Sequence, residues 1–187
     1  MDTVPERESL AQLRSAADEF VAASAQRADS DLFTPLTFLL AQVREALDMD
    51  VVFVSRFSSR ERVFEVVSAA GEATQEIVPG GSDPLLDTYC QRVVEGRLPR
   101  VIQDTSRHPE AAGLAVTQRL RIGAYLSAPV VLLNGQVFGT VCCISHAVRE
   151  DLREADAQAL AAVAQAVAAT VDSRGKIRYA SWTTPEP

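Results

Sequence analysis

Gly123-Ala124-Tyr125-Leu126-Ser127-Ala128-Pro129-Val130-Val131-Leu132-Leu133, then Asn134-Gly135, then Gln136-Val137-Phe138-Gly139-Thr140-Val141-Cys142-Cys143-Ile144-Ser145 is the stretch that decides the fold. Both arms are dense in β-branched and aromatic residues and read as strands. Asn134-Gly135 predicts a two-residue type I′ turn, whose central residues both take positive φ. Both phases of the second arm are apolar. Phe138 and Cys142 fall on one side, and Val137, Val141 and Cys143 on the other. A strand with one wet face would carry polar residues at every second position. The hairpin is therefore expected to be covered on both sides.

The rest of the chain supplies two unlike covers. Leu10, Leu13, Ala17, Phe20 and Ser24 recur at spacings of three and four, one stripe of an amphipathic helix. Gln26 to Ser30 is polar and should break it. A second helix is predicted from about Pro35 to Leu47, with Thr34 as N-cap and Phe38, Leu39, Val43 and Leu47 pointing inward. Leu152, Leu160, Val163, Val167 and Val171 mark a long C-terminal helix beginning near Arg153. Val51 to Phe57 and Val63 to Val67 read as a second hairpin around the polar stretch Ser58 to Arg62. Gly71 to Gly81 reads as a loop, with a short strand expected at Glu76 to Val78.

Asp83-Pro84 is read as the capped start of a helix that Gly96 stops. Arg100 to Gln103 is a short strand, and Asp104 to Leu120 is irregular, with helical turns at Pro109 to Gly113 and Thr117 to Leu120. The three long helices should form one cover. The segment from Pro84 to Leu120 should form the other, and a roof of short helices packs loosely enough to hold a pocket.

The 187 residues allow one compact domain plus extra helix. Apolar residues make up 47% and charged residues 23%, an ordinary globular balance. The net charge of −7 disfavours nucleic acid and anionic membranes. Arg92, Arg97, Arg100, Arg107, Arg119 and Arg121 are the nearest thing to a basic patch. Met1 to Leu10 carries acidic residues and no apolar run, so no secretory signal is expected there, and no membrane-spanning run occurs. Three cysteines, two of them adjacent, suit reduced thiols in a cytoplasmic protein.

This order of elements resembles the GAF domain family. Arg121-Ile122-Gly123-Ala124-Tyr125-Leu126-Ser127-Ala128-Pro129-Val130 is similar to its first core strand, with a tyrosine, two small positions and a proline. Gly135-Gln136-Val137-Phe138-Gly139-Thr140-Val141-Cys142-Cys143 is similar to the strand that follows, and Leu152 to Asp156 to the start of its last helix. Tyr89 to Val94, Leu98-Pro99 and Val101 to Thr105 resemble GAF domains beside cyclic-di-GMP phosphodiesterase and histidine-kinase modules. The resemblance covers about Leu36 to Val171. It implies an α+β fold: a six-stranded antiparallel sheet, helices on one face, a ligand pocket on the other, and dimers through terminal helices. Three segments are expected: a dimerising helix over 1–30, the GAF domain over 31–172 and a tail over 173–187.

The residues expected to line the pocket are Tyr89, Cys90, Val93, Ile102, Asp104, Arg121, Tyr125, Ser127 and Cys143. Tyr89 and Tyr125 would present hydroxyls, and Asp104 and Arg121 would orient a polar ligand or pair with each other. Cys142 and Cys143 point to opposite faces of a strand and cannot share a metal. Buried thiols of this kind act as small hydrophobes; Cys90, near Arg92, has the better prospect of reactivity. His108 and His146 are the only histidines and read as surface residues, which leaves no metal or haem site. The resemblance includes members that reduce free methionine sulfoxide with cysteines, but exchange needs mobile thiols within mutual reach. The cysteine-histidine pair of bilin-binding members is missing, as is the Asn-Lys-x-x-x-Phe-x-x-x-Asp-Glu signature of cyclic-nucleotide binders. So are Gly-x-Ser-x-Gly, a phosphate-binding glycine loop and His-Glu-x-x-His.

The expectation is a non-catalytic sensor, cofactor unknown, that binds a small molecule. It should form a homodimer through its alanine-rich last helix and first helix, and, since no output domain fits in the remaining residues, either signal to a partner protein or be a fragment of a longer chain. The rivals are an interaction module with a vestigial pocket and a reductase of the methionine sulfoxide type.

Overall fold

The computed structural model describes residues 4–26, 33–71 and 77–174. The expected strand at Glu76 to Val78 lies partly, and the tail almost wholly, outside them. Helices α1 (Val4–Gln26) and α2 (Phe33–Ala46) precede strands β1 (Val51–Phe57), β2 (Glu61–Ala69) and β3 (Ser82–Pro84). The middle segment holds α3 (Tyr89–Val94), β4 (Val101–Ile102), α4 (Pro109–Ala112) and α5 (Ala115–Arg119). Strands β5 (Ala124–Val131) and β6 (Val137–Ser145) and helix α6 (Glu154–Arg174) complete the order. The six strands form one antiparallel sheet in the order β3-β2-β1-β6-β5-β4.

The pleat sorts the core. Val52, Val54, Leu126, Ala128, Val141 and Cys143 face the helices, with Leu36, Leu40, Leu160 and Val167 packed on them. Val51, Phe53, Tyr125, Cys142 and Ile144 face the other way, under the middle segment. Both faces are dry, as the hairpin requires. Of the three helices, α2 and α6 lie on the sheet, while α1 packs chiefly on α6 and α2. Its stripe of Leu13, Ala16, Ala17 and Phe20 is buried in that helical core.

Local geometry departs from expectation at several points. Asn134 does not take positive φ; among the described residues of this turn only Gly135 does, at 83°. Gly135 N donates to Leu132 O and Leu132 N to Gln136 O, so the loop has three residues rather than two. A register shift between Val130 and Val131 compensates. That irregularity also turns Phe138 onto the helix-side core, away from the face of Cys142. Phe38 does not point inward: it is 64% exposed, because Leu36, Leu39, Leu40 and Val43 already fill the buried stripe of α2. Phe38→Ser is therefore expected to move the chemical-denaturation midpoint by no more than about 0.5 kcal/mol of stability.

Asp83 is not a helix cap. It sits in β3, opposite Arg62 of β2. Thr88 caps α3 instead, its hydroxyl accepting from Gln91 N at 3.3 Å. Gly96, at φ 72°, follows the helix in the left-handed conformation expected of a stop.

Candidate functional site

The middle segment makes a knit roof over the β1–β6–β5 face. Arg92 Nε donates to Glu110 Oε1 at 3.1 Å, joining α3 to α4, and Arg97 reaches the same carboxylate at 2.5 Å. The Tyr89 hydroxyl lies 2.7 Å from Thr117 Oγ1, joining α3 to α5, and its ring leans on Tyr125 at 4.7 Å between centroids. Several arginines of the presumed basic patch are thereby spent in ion pairs: Arg92 and Arg97 with Glu110, Arg107 with Asp104, Arg119 with Asp83.

Tyr89, Cys90, Val93, Ile102 and Tyr125 come together beneath this roof. Ser127 shares the face of Tyr125 two residues along β5, opposite Cys142. The centre is closed. Tyr89 is 3%, Cys90 1%, Tyr125 1% and Ser127 0% exposed, whereas a cavity large enough for a ligand would leave such side chains open to a water-sized sphere. Space lies instead at the sheet edge, in an open groove of about 580 Å³ lined by Pro99, Ile102, Asp104, Arg107, His108 and Arg153, among others.

Asp104 and Arg121 are not beneath the roof. Asp104 caps a short 3-10 turn, accepting from Ser106 N at 3.0 Å, and pairs with Arg107 at 3.2 Å. Its carboxyl is held below the usual range by the Ser106 hydroxyl bond first, with Arg107 adding to it. Arg121 takes left-handed backbone at φ 49° as the chain enters β5, and its carbonyl meets the His146 ring at 3.2 Å. Cys143 is also displaced from the expected set: it faces the helices, where burial pushes its thiol up. Cys142 takes its place.

Residues missed in the sequence, Arg62, Asp83, Cys142 and Thr140 among them, complete the site. Arg62 is 3% exposed; it pairs with Asp83, and its guanidinium carbon lies 3.8 Å from the centre of the Phe64 ring and 5.3 Å from that of Phe53. A cation sandwiched this way gains from both rings. Arg62 Nη1 also points at Cys90 Sγ, 3.8 Å away. Cys90 Sγ lies 3.6 Å from Cys142 Sγ, and Cys142 lies 3.1 Å from both the Tyr125 hydroxyl and Thr140 Oγ1.

Burial opposes ionisation of Cys90, but the Cys142 hydrogen bond and the Arg62 charge outweigh it and hold its pKa well below the ordinary thiol value. Burial pushes Cys142 and Tyr125 the other way, and the neighbouring thiols reinforce it. The arrangement is a buried cation beside two facing thiols, of which Cys90 is the more readily ionised. The period-2 parity of Tyr125 and Cys142 across the hairpin could have pointed to Cys142. Nothing local pointed to Arg62, which ends a polar stretch that reads as a turn.

Among the described residues no group of three or more His, Cys, Asp or Glu side chains could hold a metal ion, and no helix is long and apolar enough to cross a membrane. No curated protein sequence matches the chain. Solved structures do, at low identity. The GAF domain of an Acinetobacter phosphoenolpyruvate-protein phosphotransferase is 14% identical, with 89% of this chain and 96% of that one covered and a TM-score of 0.65. A phycoerythrobilin-bound GAF domain from a cyanobacterial phytochrome is 14% identical over 87% and 96%, with a TM-score of 0.69. Free methionine-R-sulfoxide reductase from Neisseria meningitidis, in complex with its substrate, is 17% identical over 89% and 93%, with a TM-score of 0.65. Identities this low speak for the fold alone. The GAF domain model, however, matches residues 34–171, from the second residue of α2 into the last turns of α6, and on that match the chain belongs to the GAF domain family.

Proposed function

We propose that this GAF domain is a non-catalytic sensor whose input is a small polar molecule, rich in hydrogen-bond acceptors, that inserts between the roof and the sheet. GAF domains are usually sensing and ligand-binding modules. One observation carries the reading. Arg62 Nε is buried under the roof and meets no partner at hydrogen-bonding geometry among the described residues. A buried polar atom left unpaired costs about 1–3 kcal/mol, so an acceptor that reached Arg62 would relieve that loss. The roof is the element able to yield, being built of helices of four to six residues. Two similar solved domains are described as holding a small molecule, phycoerythrobilin in one and substrate in the other.

Ligand entry would lift α3 and α5 from β5 and β6. The change would reach α6, which lies across β5 and carries α1 on its outer side. In this reading α1 and the alanine-rich α6 form a homodimer and pass the signal to a partner protein in the cytoplasm.

Purified protein screened by thermal shift against carboxylate- and phosphate-bearing metabolites should gain stability with at least one of them. The gain is about 2.7 kcal/mol at a hundredfold excess over Kd. Arg62→Met should abolish the gain. No shift with any compound, together with no small molecule retained in native mass spectra, would sink the proposal. No turnover of free methionine sulfoxide above a Cys90→Ser control is expected.

A further inference from the structure

We infer that Cys90 and Cys142 form a reversible disulfide that clamps roof helix α3 onto central strand β6, with a hydroperoxide as the oxidant. This goes beyond the ligand proposal and does not depend on it.

The two thiols are the only pair of the three cysteines that face one another. They belong to different layers, 52 residues apart in sequence, yet their sulfurs are 3.6 Å apart. A disulfide needs about 2.05 Å between sulfurs, so closure asks the two sulfurs to approach by roughly 1.5 Å. Their surroundings divide the labour. Arg62 Nη1 lies beside Cys90 Sγ, and the Tyr125 hydroxyl donates toward the same sulfur at 3.7 Å, so negative charge is stabilised there. Cys142 has Thr140 and Tyr125 hydroxyls at 3.1 Å and remains the protonated partner. The burial-opposed but net downward shift of Cys90 and the upward shift of Cys142 agree with that division. Thiolate is the nucleophile in such chemistry. Cys143, one residue on, faces the helical core and serves as an internal control.

The chemistry balances in two steps. Cys90 thiolate attacks the outer oxygen of the hydroperoxide. An S–O bond forms, the O–O bond breaks, and the leaving alkoxide or hydroxide takes a proton from solvent. The Cys142 sulfur then attacks the Cys90 sulfenyl sulfur. An S–S bond forms, the S–O bond breaks, and the departing hydroxide leaves as water with the proton of Cys142. The peroxide gains two electrons and the cysteine pair loses two. A dithiol reductant reverses the bond by attacking one sulfur and closing its own disulfide. Both thiols are buried, so the first step proceeds through local opening of the roof, which is built of helices of four to six residues. Closing the bond ties the roof to the middle of the sheet.

The test is to treat the reduced 187-residue chain with hydrogen peroxide, quench with an alkylating agent and map the peptides by mass spectrometry. Expected are a loss of two hydrogens from the intact chain and one cross-linked peptide pair joining Cys90 to Cys142, both reversed by dithiothreitol. Cys143→Ser should leave the pair at full yield. Amide exchange in α3 should slow by about tenfold on oxidation. Any of the following would overturn the inference: Cys90 trapped as sulfinic acid with no cross-link, a bond involving Cys143 or a second chain, or no reaction in folded protein under conditions that oxidise the urea-unfolded chain. Because the mapping uses the unsubstituted chain, the result stands whether or not a cysteine variant folds. Absence of any ligand response in the reduced protein, with the disulfide still forming on oxidation, would count against the ligand proposal alone.

Discussion

Asp83→Ala is expected to lower the free energy of unfolding by about 3–5 kcal/mol, as read by urea denaturation. Asp83 is the carboxylate partner of Arg62, and both side chains are almost wholly buried, at 10% and 4% exposure. Removing it strands a guanidinium between two phenylalanine rings, with only the Cys90 sulfur nearby to balance its charge. Arg119 contacts the same carboxylate but is 55% exposed, so water replaces its bond. Arg119→Ala should cost less than about 1 kcal/mol. A double replacement separates two explanations. If the loss comes from an unpaired buried charge, adding Arg62→Met to Asp83→Ala should recover most of it, because an apolar chain of similar length fits among the same rings. If the loss persists undiminished, the pair is holding β3 to β2 in some other way.

Gly139→Ala should destabilise by about 3 kcal/mol, near the upper end of what overpacking usually does. A methyl group at Gly139 would fall on the Ser55 carbonyl oxygen of the neighbouring strand and within 2.9 Å of Arg56 Cα. Those are backbone atoms of β1, in the middle of the sheet, and they cannot swing aside as a side chain would. The informative comparison is Gly135→Ala. Gly135 holds φ 83° with nothing within 4 Å of the added carbon, so only left-handed strain opposes the change, at about 1–2 kcal/mol. Thermal or chemical denaturation of the two variants should rank Gly139 above Gly135. Equal losses would mean that β1 and β6 can separate to admit the methyl.

The β5–β6 hairpin was legible because its signal is local. Two apolar phases in one strand can only mean two dry faces, and the structure has both. The stripes of α1 and α6 were legible for the same reason. Phe38 shows where such reading stops. Helical periodicity marks a stripe of candidates, but which apolar residue lies at its edge depends on how α2 rolls on β1 and β2. The turn at Asn134-Gly135 was misread because a three-residue loop followed by a register shift restores the pairing that a two-residue turn would make. The two routes differ only at Phe138, whose face is inverted.

The candidate site was legible in part. Tyr89, Cys90, Val93 and Tyr125 lie together beneath the middle segment, because helix and strand phases fix which way each points. Asp104 and Arg121 lie in turns, where no periodicity constrains direction. Arg62 and Asp83 were invisible as a pair because charge in a polar stretch reads as solvent-facing by default. Only their meeting across β2 and β3 makes burial tolerable for either.

By itself the sequence determined the layers: which segments are strand or helix, which faces are apolar, and that the sheet has a helical side and a roofed side. Those properties follow from residue type and from periods of 2 and 3.6, which are short-range. The tertiary structure alone decided that the roof closes over a buried arginine, and that Cys90 meets Cys142 rather than Cys143 finding a partner. Those depend on the register of β6 against β5 and on the seating of α3, long-range contacts whose energies no single stretch of chain contains.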